Sequence, residues 1–267
     1  MITRKVKSVR ALERGLDVLN EIQQRRAASL NELHLALGLP KATLLRMLVT
    51  LASRGLIWQR LADGAYLASM IRDARVPRGD VSARLAEIAS AELAALSSRV
   101  AWPSVLAVPR LDHVEIVETN SSIARLDAAT LGPVGTKLSY IHTATGRAYL
   151  AACDPSERAS IIERLRPDDA TPASIRQLDA IISEIEARGW SCRAPAHPWP
   201  DRSRVDVVRD GRRSIAVAVR VHATPVAAIN ITWPGRRMAM QDAVRRHLPT
   251  LRETARIIGA RLEAMTA

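Results

Sequence analysis

Residues 29–66 read SLNELHLALGLPKATLLRMLVTLASRGLIWQRLADGAY, and this stretch has the pattern of a helix, a tight turn, a second helix and a short hairpin. Ser29, followed three residues later by Glu32, has the capping-box pattern that predicts the start of a helix. Gly38 is typical of the residue just after a helix, and Pro40 suits the start of the next one. Two helices joined by so short a turn predict a helix-turn-helix.

The second helix of this stretch, residues 41–53, is predicted to make the functional contacts of the domain. Its buried face is predicted from the spacing i, i+3, i+4 and i+7 of Leu44, Met47, Leu48 and Leu51. The opposite face is expected to consist of Lys41, Ala42, Thr43, Leu45, Arg46, Val49 and Thr50. Basic and hydroxyl side chains near a helix N-terminus suit the major groove of DNA, although an ordinary solvated helix surface would have the same composition.

A two-stranded wing is predicted directly after the second helix. Residues 57–60 and 65–67 have strand-like composition, and Asp63-Gly64 between them is a strong hairpin signal. A helix is also predicted before the stretch, because apolar residues recur there at helical spacing. These residues are Val9, Leu12, Leu16, Leu19 and Ile22. Three helices and a wing predict a winged helix-turn-helix domain, which we place at residues 1–78, with Arg60 of the wing as a further candidate for DNA contact.

Basic residues are concentrated in this N-terminal segment. The 267 residues carry a net charge of +12, and residues 1–78 hold 14 basic and 6 acidic side chains, so +8 of that charge. This concentration favours a polyanionic partner for the helix-turn-helix segment. Arg4, Lys5, Lys7 and Arg10 precede the first helix as a basic arm that either contacts phosphates or is simply solvated.

The composition also argues against several other classes of protein. No window of eighteen uncharged apolar residues occurs, and the N-terminus lacks the apolar core of a signal peptide, so we expect a cytoplasmic protein without a membrane partner. Cys153 and Cys192 have neither metal-ligand spacing nor a disulfide pattern. No phosphate-binding loop, nucleophile elbow or paired-histidine metal motif is found. We therefore assign no catalytic residue, metal or cofactor.

The remainder of the chain predicts a helix followed by an α+β domain. Residues 69–79 have no period, and a new helix is predicted from Asp80, so 79–98 are assigned to a linker helix that either contacts a second subunit or packs on its own domain. The second domain, residues 99–267, includes a long segment, 190–213, that is predicted to be a loop. Its strands are predicted at 104–108, 114–119, 125–130, 214–221 and 225–233.

Four further helices are predicted between and after these strands. One begins at His142-Thr143, and another has Asp154 as its cap with Glu157 completing a capping box. A third follows Thr171. The last contains Pro249, which predicts either a kink or a helix start at that position.

Three blocks of the sequence resemble the IclR family of bacterial transcriptional regulators. They are SVRALERGLDVLNEI with SLNELHLALGLPKATLLRMLVTLASRGLI, then TATGRAYLA, then SIAVAVRVHATPVAAINITW. WPSVLAVPRLDHVEIVETNSSIARLDAATLGPVG, AINITW and HLPTLRETARII are similar to the branch that controls phenylpropionate and hydroxyphenylpropionate catabolism. The resemblance implies an α+β protein with a GAF-like effector-binding domain built on an antiparallel sheet. It further implies a small aromatic carboxylic acid as effector, a catabolic operon as target, and a homodimer or tetramer on a palindromic DNA operator.

The resemblance also implies site residues. Lys41, Thr43 and Arg46 match family positions that contact DNA, whereas Ala42 and Leu45 replace residues that are more often polar. An apolar side chain can still meet a thymine methyl group, and the full set of DNA-binding candidates is Lys41, Thr43, Leu45, Arg46, Thr50 and Arg60.

In the effector domain, Ser214 stands where many members have Cys, and Asn230 and Thr232 share one face of a strand because their spacing is two. An anion is also expected at the N-terminus of the helix that begins at His142-Thr143, with Arg125 as a further source of charge. The effector-binding candidates are therefore Arg125, His142, Thr143, Ser214, Asn230 and Thr232. The family's upstream acidic residue matches either Asp201 or Asp206.

These observations predict a ligand-responsive, DNA-binding transcriptional regulator. The alternative is a small-molecule enzyme or sensor that uses a helix-turn-helix fold for protein contact. DNA binding without substrate turnover would separate the two.

Overall fold

The computed structural model contains two compact units, residues 1–80 and 81–267. The residues that the structure describes are 9–70, 81–124, 131–193, 196–201 and 210–266. The predicted basic arm at Arg4, Lys5 and Lys7 and the predicted strand at 125–130 lie outside these ranges.

The first unit is a three-helix domain with a two-stranded antiparallel wing. Its elements are α1 (Arg10–Arg25), α2 (Leu30–Leu37), α3 (Lys41–Ser53), β1 (Ile57–Gln59) and β2 (Tyr66–Ala68). The capping box at the start of α2 is confirmed, because the Glu32 amide donates to Ser29 Oγ (3.2 Å) and the Ser29 amide donates to Glu32 Oε2 (2.7 Å). Gly38 has a left-handed φ of +63°, and α3 leaves α2 at an angle of 114°. This angle is within the range of known helix-turn-helix motifs.

The core of the first unit differs in one respect from the sequence prediction. Val18 and Ile22 of α1 are buried, but Val9, Leu12 and Leu16, predicted to pack under the other helices, are exposed. The reason is that only the C-terminal half of α1 lies against α2, α3 and β2. The first two turns of α1 therefore present an apolar stripe on the surface of the unit.

The second unit is an antiparallel six-stranded sheet covered by helices. Its helices are α4 (Val81–Arg99), α5 (Ala144–Ala152), α6 (Pro155–Leu165), α7 (Pro172–Arg188) and α8 (Met240–Thr266). Its strands are β3 (Val105–Pro109), β4 (Val114–Thr119), β5 (Lys137–Leu138), β6 (Ser191–Cys192), β7 (Arg212–Val221) and β8 (Thr224–Pro234). They are arranged in the order β5-β4-β3-β8-β7-β6.

Both faces of this sheet are buried. One face carries Val105, Ala107 and Ala228, which share a core with α5, α6 and α7. Leu106 and Ile229 alternate with these residues and are fully buried as well. Because α4 and α8 contact the sheet without joining the first core, they cover the second face. The sheet is therefore the central layer of the α+β unit.

Two local predictions for this unit are corrected by the structure, and for Pro249 one of the two alternatives, a helix start, is excluded. The predicted loop at 190–213 contains β6, whose two residues are too few to produce a period in sequence. Glu157 does not complete a capping box; it accepts a hydrogen bond from the Tyr149 hydroxyl (2.7 Å) while Asp154 caps α6 through the Ser156 amide (2.8 Å). Helix α8 starts at Met240 rather than at Pro249 and tolerates the missing N–H of that proline.

Within the described residues, no single helix is long and apolar enough to cross a membrane, and only the bent pair α2 and α3 meets the length and composition criteria jointly.

Candidate functional site

Helix α3 presents the outward face that its sequence predicts. Leu44, Leu48 and Leu51 are buried in the core of the first unit. Lys41, Ala42, Leu45, Arg46, Val49 and Thr50 are exposed, and Thr43 is half-buried. The two large apolar members of this face are well exposed, with Leu45 at 42% and Val49 at 67%. The face therefore combines cations, hydroxyl groups and apolar side chains on one helix.

The cations of this face remain available to a partner. No ion pair within the described part of the chain involves Lys41 or Arg46. The amides of Lys41 and Ala42 open α3 after Pro40, which offers no side-chain cap. Exposed N–H groups and the positive end of the helix dipole suit a phosphate group.

Two other DNA-binding candidates have partners within the first unit. The Thr50 hydroxyl donates to the Arg46 carbonyl (2.9 Å) and keeps its lone pairs. Arg60 donates to both carboxylate oxygens of Asp63, at 3.0 and 2.5 Å, and this pairing lowers the pKa of Asp63 below its usual value. The wing thus holds Arg60 in an ordered position at its turn.

A small cavity of about 40 Å³ lies in the second unit, at the N-terminus of α5. Its apolar wall consists of Val105, Ile116, Leu131, Leu138 and Ala144. Its polar wall consists of Thr143, Thr145, Arg193, Asp210, Ser214, Asn230 and Thr232. The structure therefore brings together four of the six predicted effector-binding residues. We call this space the sheet cavity.

Three of these residues form a connected hydrogen-bonding group on β7 and β8. The Ser214 and Thr232 hydroxyl oxygens lie 2.6 Å apart, and Asn230 Nδ2 donates to Thr232 Oγ1 at 3.3 Å. Asn230 Oδ1 accepts the Val105 amide of the adjacent strand at 2.9 Å, which fixes the orientation of the side-chain amide. Hydroxyl and amide groups in this arrangement can donate to or accept from a bound polar molecule.

The N-terminus of α5 adds donors to the same cavity. Thr143 caps the helix by accepting the Gly146 amide (3.1 Å) and donates to the Ser139 carbonyl (2.6 Å). The amides of Ala144 and Thr145 have no hydrogen-bond partner among the described residues. Free amides at the positive end of a helix dipole favour an anion, so this end of the cavity is suited to a carboxylate.

An ion pair in the cavity wall was not predicted from the sequence. Arg193 donates to both oxygens of Asp210 at 2.9 Å each, and the Arg193 side chain is only 8% exposed. The Arg212 amide donates to Asp210 Oδ1 at 2.9 Å. Arg193 and Asp210 both lie within the predicted loop at 190–213. Since this segment has no motif or periodicity, the sequence did not identify them as cavity residues.

Among the other predicted effector residues, His142 lies outside the lining of the sheet cavity, and the reason is the direction of its ring. The Ser139 hydroxyl approaches Nδ1 at 2.9 Å, and Nε2 is 3.3 Å from the His197 carbonyl. His142 is thus buried with partners on both nitrogens. Asp201 Oδ1 is 4.0 Å from Nδ1, whereas Arg125 and Asp206 lie outside the described residues.

Among the described residues, the side chains that most often bind metals or act as nucleophiles are not arranged for either role. In the described ranges, no group of three or more His, Cys, Asp or Glu side chains is placed to hold a metal ion. Cys153 is buried, and burial raises the pKa of its thiol to about 11, which keeps it protonated and unreactive.

A winged helix-turn-helix unit followed by an α+β unit with a polar cavity defines a class, the ligand-responsive DNA-binding regulators. Comparison of the chain with models of protein families leads to the same class. Residues 11–60 match the IclR helix-turn-helix domain, and residues 81–260 match the bacterial transcriptional regulator IclR C-terminal domain. The chain therefore belongs to the IclR family and is a DNA-binding transcriptional regulator, not an enzyme.

Solved structures share this fold along nearly the whole chain. A transcriptional regulator from Rhodococcus sp. RHA1 is 24% identical, with a TM-score of 0.54 over 97% of this chain and 100% of the other. IclR of Thermotoga maritima is 17% identical, with a TM-score of 0.55 over 95% and 99%. An IclR homolog of Microbacterium hydrocarbonoxydans, solved with 4-hydroxybenzoate, is 22% identical, with a TM-score of 0.52 over 95% and 99%.

Proposed function

We propose that this regulator binds a small aromatic carboxylic acid in the sheet cavity and thereby controls a catabolic operon. The observation that carries the proposal is the composition of the cavity wall. The lining combines free helix N-terminal amides and the Ser214, Asn230 and Thr232 group with apolar side chains. A molecule with a carboxylate, a second polar group and a flat apolar body complements both kinds of lining.

The similarity to a 4-hydroxybenzoate complex supports the choice of ligand class. That ligand belongs to the Microbacterium protein. It does, however, have the two polar ends and the apolar ring that the sheet cavity would accommodate. We therefore select 4-hydroxybenzoate as the first probe.

The size of the cavity suggests how binding could change the protein. A volume of about 40 Å³ holds little more than one or two water molecules, whereas a cavity that accepts benzene is about 150 Å³. Binding of an aromatic acid then requires the wall to move apart. A ligand that binds only the opened form shifts the population toward that form by its difference in affinity.

On the DNA side, we propose that α3 lies in the major groove. Lys41, Thr43, Leu45, Arg46 and Thr50 would then contact base edges and phosphates, and Arg60 of the wing would contact the adjacent backbone. The unpaired state of Lys41 and Arg46 supports this assignment.

We further propose a homodimer or tetramer that binds a palindromic operator in the cytoplasm. The exposed stripe of α1 supports self-association, because Val9, Leu12 and Leu16 lie at i, i+3 and i+7 and are 64%, 61% and 48% exposed. Large apolar side chains at this spacing are typical of a helix that packs on a second helix. Two copies related by a two-fold axis would match the symmetry of a palindrome.

The test is an electrophoretic mobility shift with the DNA upstream of the chain's own gene. We expect a saturable complex that excess unrelated DNA does not remove, and a change in its affinity of at least fivefold when 4-hydroxybenzoate is saturating. Calorimetry on the free protein measures the binding of the acid directly. Specific DNA binding with no response to any aromatic acid would refute the effector part of the proposal, and absence of specific DNA binding would refute the choice of operator.

A further inference from the structure

We propose that the second unit contains a separate binding site for a small organic anion with an apolar body. The site is an open groove of about 750 Å³ between α5, α7, β7 and α8, which we call the edge groove. Its volume is in the range of small-molecule sites in proteins, whereas the sheet cavity is far below that range. The two spaces have no lining residue in common.

The charge of the edge groove favours an anion. Four arginines line it, Arg158, Arg220, Arg252 and Arg256, against only two glutamates, Glu186 and Glu263. Two of the arginines are neutralised by carboxylates at 2.7 Å, Arg158 by Glu186 and Arg256 by Glu253 outside the groove.

Arg220 and Arg252 differ from the other two arginines in their partners. Arg220 Nη1 donates to the Ala223 carbonyl at 2.5 Å, and Arg252 Nη2 donates to the Arg188 carbonyl at 2.8 Å. No ion pair with another described residue involves either guanidinium. Since a guanidinium has five N–H donors, each keeps several donors after its carbonyl contact. The carbonyl contacts restrict the two side chains, so less conformational entropy is lost when an anion binds.

The apolar part of the wall explains why the site would prefer an anion with a hydrophobic body over an inorganic ion. Alanines from two helices, Ala148 on α5 and Ala255 on α8, line the groove together with Val217 of β7. Small side chains leave the space open and offer contact to a flat or extended apolar group. Trp190 lies at the rim, where Arg188 stacks 3.9 Å above the centre of its ring, and its fluorescence can report on occupancy.

The probe that tests the site is 2-naphthoate, with the neutral 2-naphthamide as its analogue. We expect 2-naphthoate to quench the tryptophan fluorescence of the full-length protein saturably and calorimetry to give one site per chain, which the groove variants then assign to the groove. Arg220→Gln with Arg252→Gln should weaken this site at least tenfold, because the charge is lost while hydrogen-bonding ability remains. Arg220→Lys with Arg252→Lys should stay within about threefold of wild type.

A matched control removes the same charge elsewhere in the second unit. Arg166 and Arg245, each paired with a carboxylate three residues before it in sequence, are replaced by Gln, and this should leave the affinity unchanged. Ala260 is exposed on α8 and lines the groove, so Ala260→Trp should block binding without altering the core.

Three outcomes would overturn the proposal. The first is equal affinity for 2-naphthamide, which would remove the need for an anion. The second is an unchanged affinity in both the Arg→Gln pair and Ala260→Trp. The third is that Asn230→Asp, a change in the sheet cavity, abolishes binding of 2-naphthoate while the groove variants bind it as wild type does. The groove variants leave the residues of the sheet cavity unchanged. Their response to 4-hydroxybenzoate therefore tests the sheet cavity separately from the edge groove.

Discussion

Ser214 and Thr232 are directly paired across β7 and β8, and their hydroxyl oxygens lie 2.6 Å apart at the wall of the sheet cavity. Thr232 also accepts from Asn230 Nδ2, so a single hydroxyl group connects the other two polar side chains. A ligand that hydrogen-bonds this group enters a preorganised network rather than a set of mobile side chains.

Thr232→Val should therefore weaken binding of 4-hydroxybenzoate about five- to tenfold, the size expected for one lost hydrogen bond of about 1 kcal/mol. Calorimetry measures the dissociation constant. Thr254→Val is the matched control, because Thr254 is a buried threonine of α8 whose hydroxyl donates to the Thr250 carbonyl of the same helix. Equal affinities in wild type and Thr232→Val would exclude this hydroxyl from the ligand site.

Arg193→Met should destabilise the second unit by about 1 kcal/mol, because it leaves the partly exposed Asp210 carboxylate without its cationic partner. Urea unfolding measures the change. The double variant with Asp210→Asn should recover part of the loss, since no unpaired charge remains. A double variant as unstable as the single one would show that the ion pair itself has little influence on stability.

Gly146→Ala should disrupt the second unit although alanine favours helices. A Cβ atom at this position would lie 2.3 Å from the Ser139 carbonyl oxygen and 2.5 Å from Tyr140 Cα, so backbone would have to move. Gly15→Ala in α1 is the matched control, with nothing within 4 Å of the added atom. It should stabilise the first unit by about 0.5–1 kcal/mol. Thermal unfolding followed by circular dichroism measures the melting temperatures of both variants and of wild type. A Gly146→Ala melting temperature equal to that of wild type would contradict the close approach at Gly146.

Arg46→Ala should weaken operator binding at least tenfold if α3 enters the major groove. In a plot of log affinity against the logarithm of salt concentration, the magnitude of the slope should decrease by about one if the lost contact is to a phosphate. It should remain unchanged if the contact is to a base. Arg14→Ala removes the same charge from the exposed surface of α1 and should have a much smaller effect. Wild-type operator affinity in Arg46→Ala would refute the proposed recognition helix.

The stability of the second unit should fall as the pH is lowered from about 6.5 to about 4. Burial, and then the nearby charge of His142, lower the pKa of His197 to about 4, against an ordinary value of 6.5. Between these values the unfolded chain takes up a proton that the folded chain does not, so the free energy of unfolding decreases with falling pH. In the fold, the Trp199 amide donates to His197 Nδ1 at 3.3 Å, and protonation would break this bond.

His197→Asn keeps an acceptor for the Trp199 amide and removes the titrating group. Urea midpoints at pH 7 and pH 4.5 should therefore differ less in this variant than in wild type. His222→Asn, at an exposed position, serves as control and should retain the wild-type difference. An unaltered pH dependence in His197→Asn would assign the acid sensitivity to other groups.

The helix-turn-helix could be predicted because its signals are local. Ser29 with Glu32, and Gly38 with Pro40, specify where helices begin and end within a few residues. The inward direction of Leu44 and its neighbours follows from helical periodicity alone. Periodicity failed in α1 because it shows which residues share a face, not how far the covering elements extend.

The sheet cavity was only partly predictable. The resemblance to the family pointed to Ser214, Asn230 and Thr232, and the period-two alternation of a strand placed Asn230 and Thr232 on one face. The Arg193–Asp210 pair joins residues 17 apart in a segment without period, so only the folded chain brings them together. His142 was placed near the correct helix end, but the direction of its ring depends on Ser139 and His197, which local sequence does not specify.

The exposed Leu45 and Val49 of α3 have a consequence for how a DNA sequence would be selected. Neither side chain can donate or accept a hydrogen bond, so a base edge placed against it loses water and receives no partner in return. Only the methyl group of thymine suits such a neighbour without this penalty. Next to Leu45 and Val49, a base other than thymine would be disfavoured because its hydrogen-bonding groups would be left without partners. This penalty would contribute more to sequence preference than the contact with the thymine methyl group does.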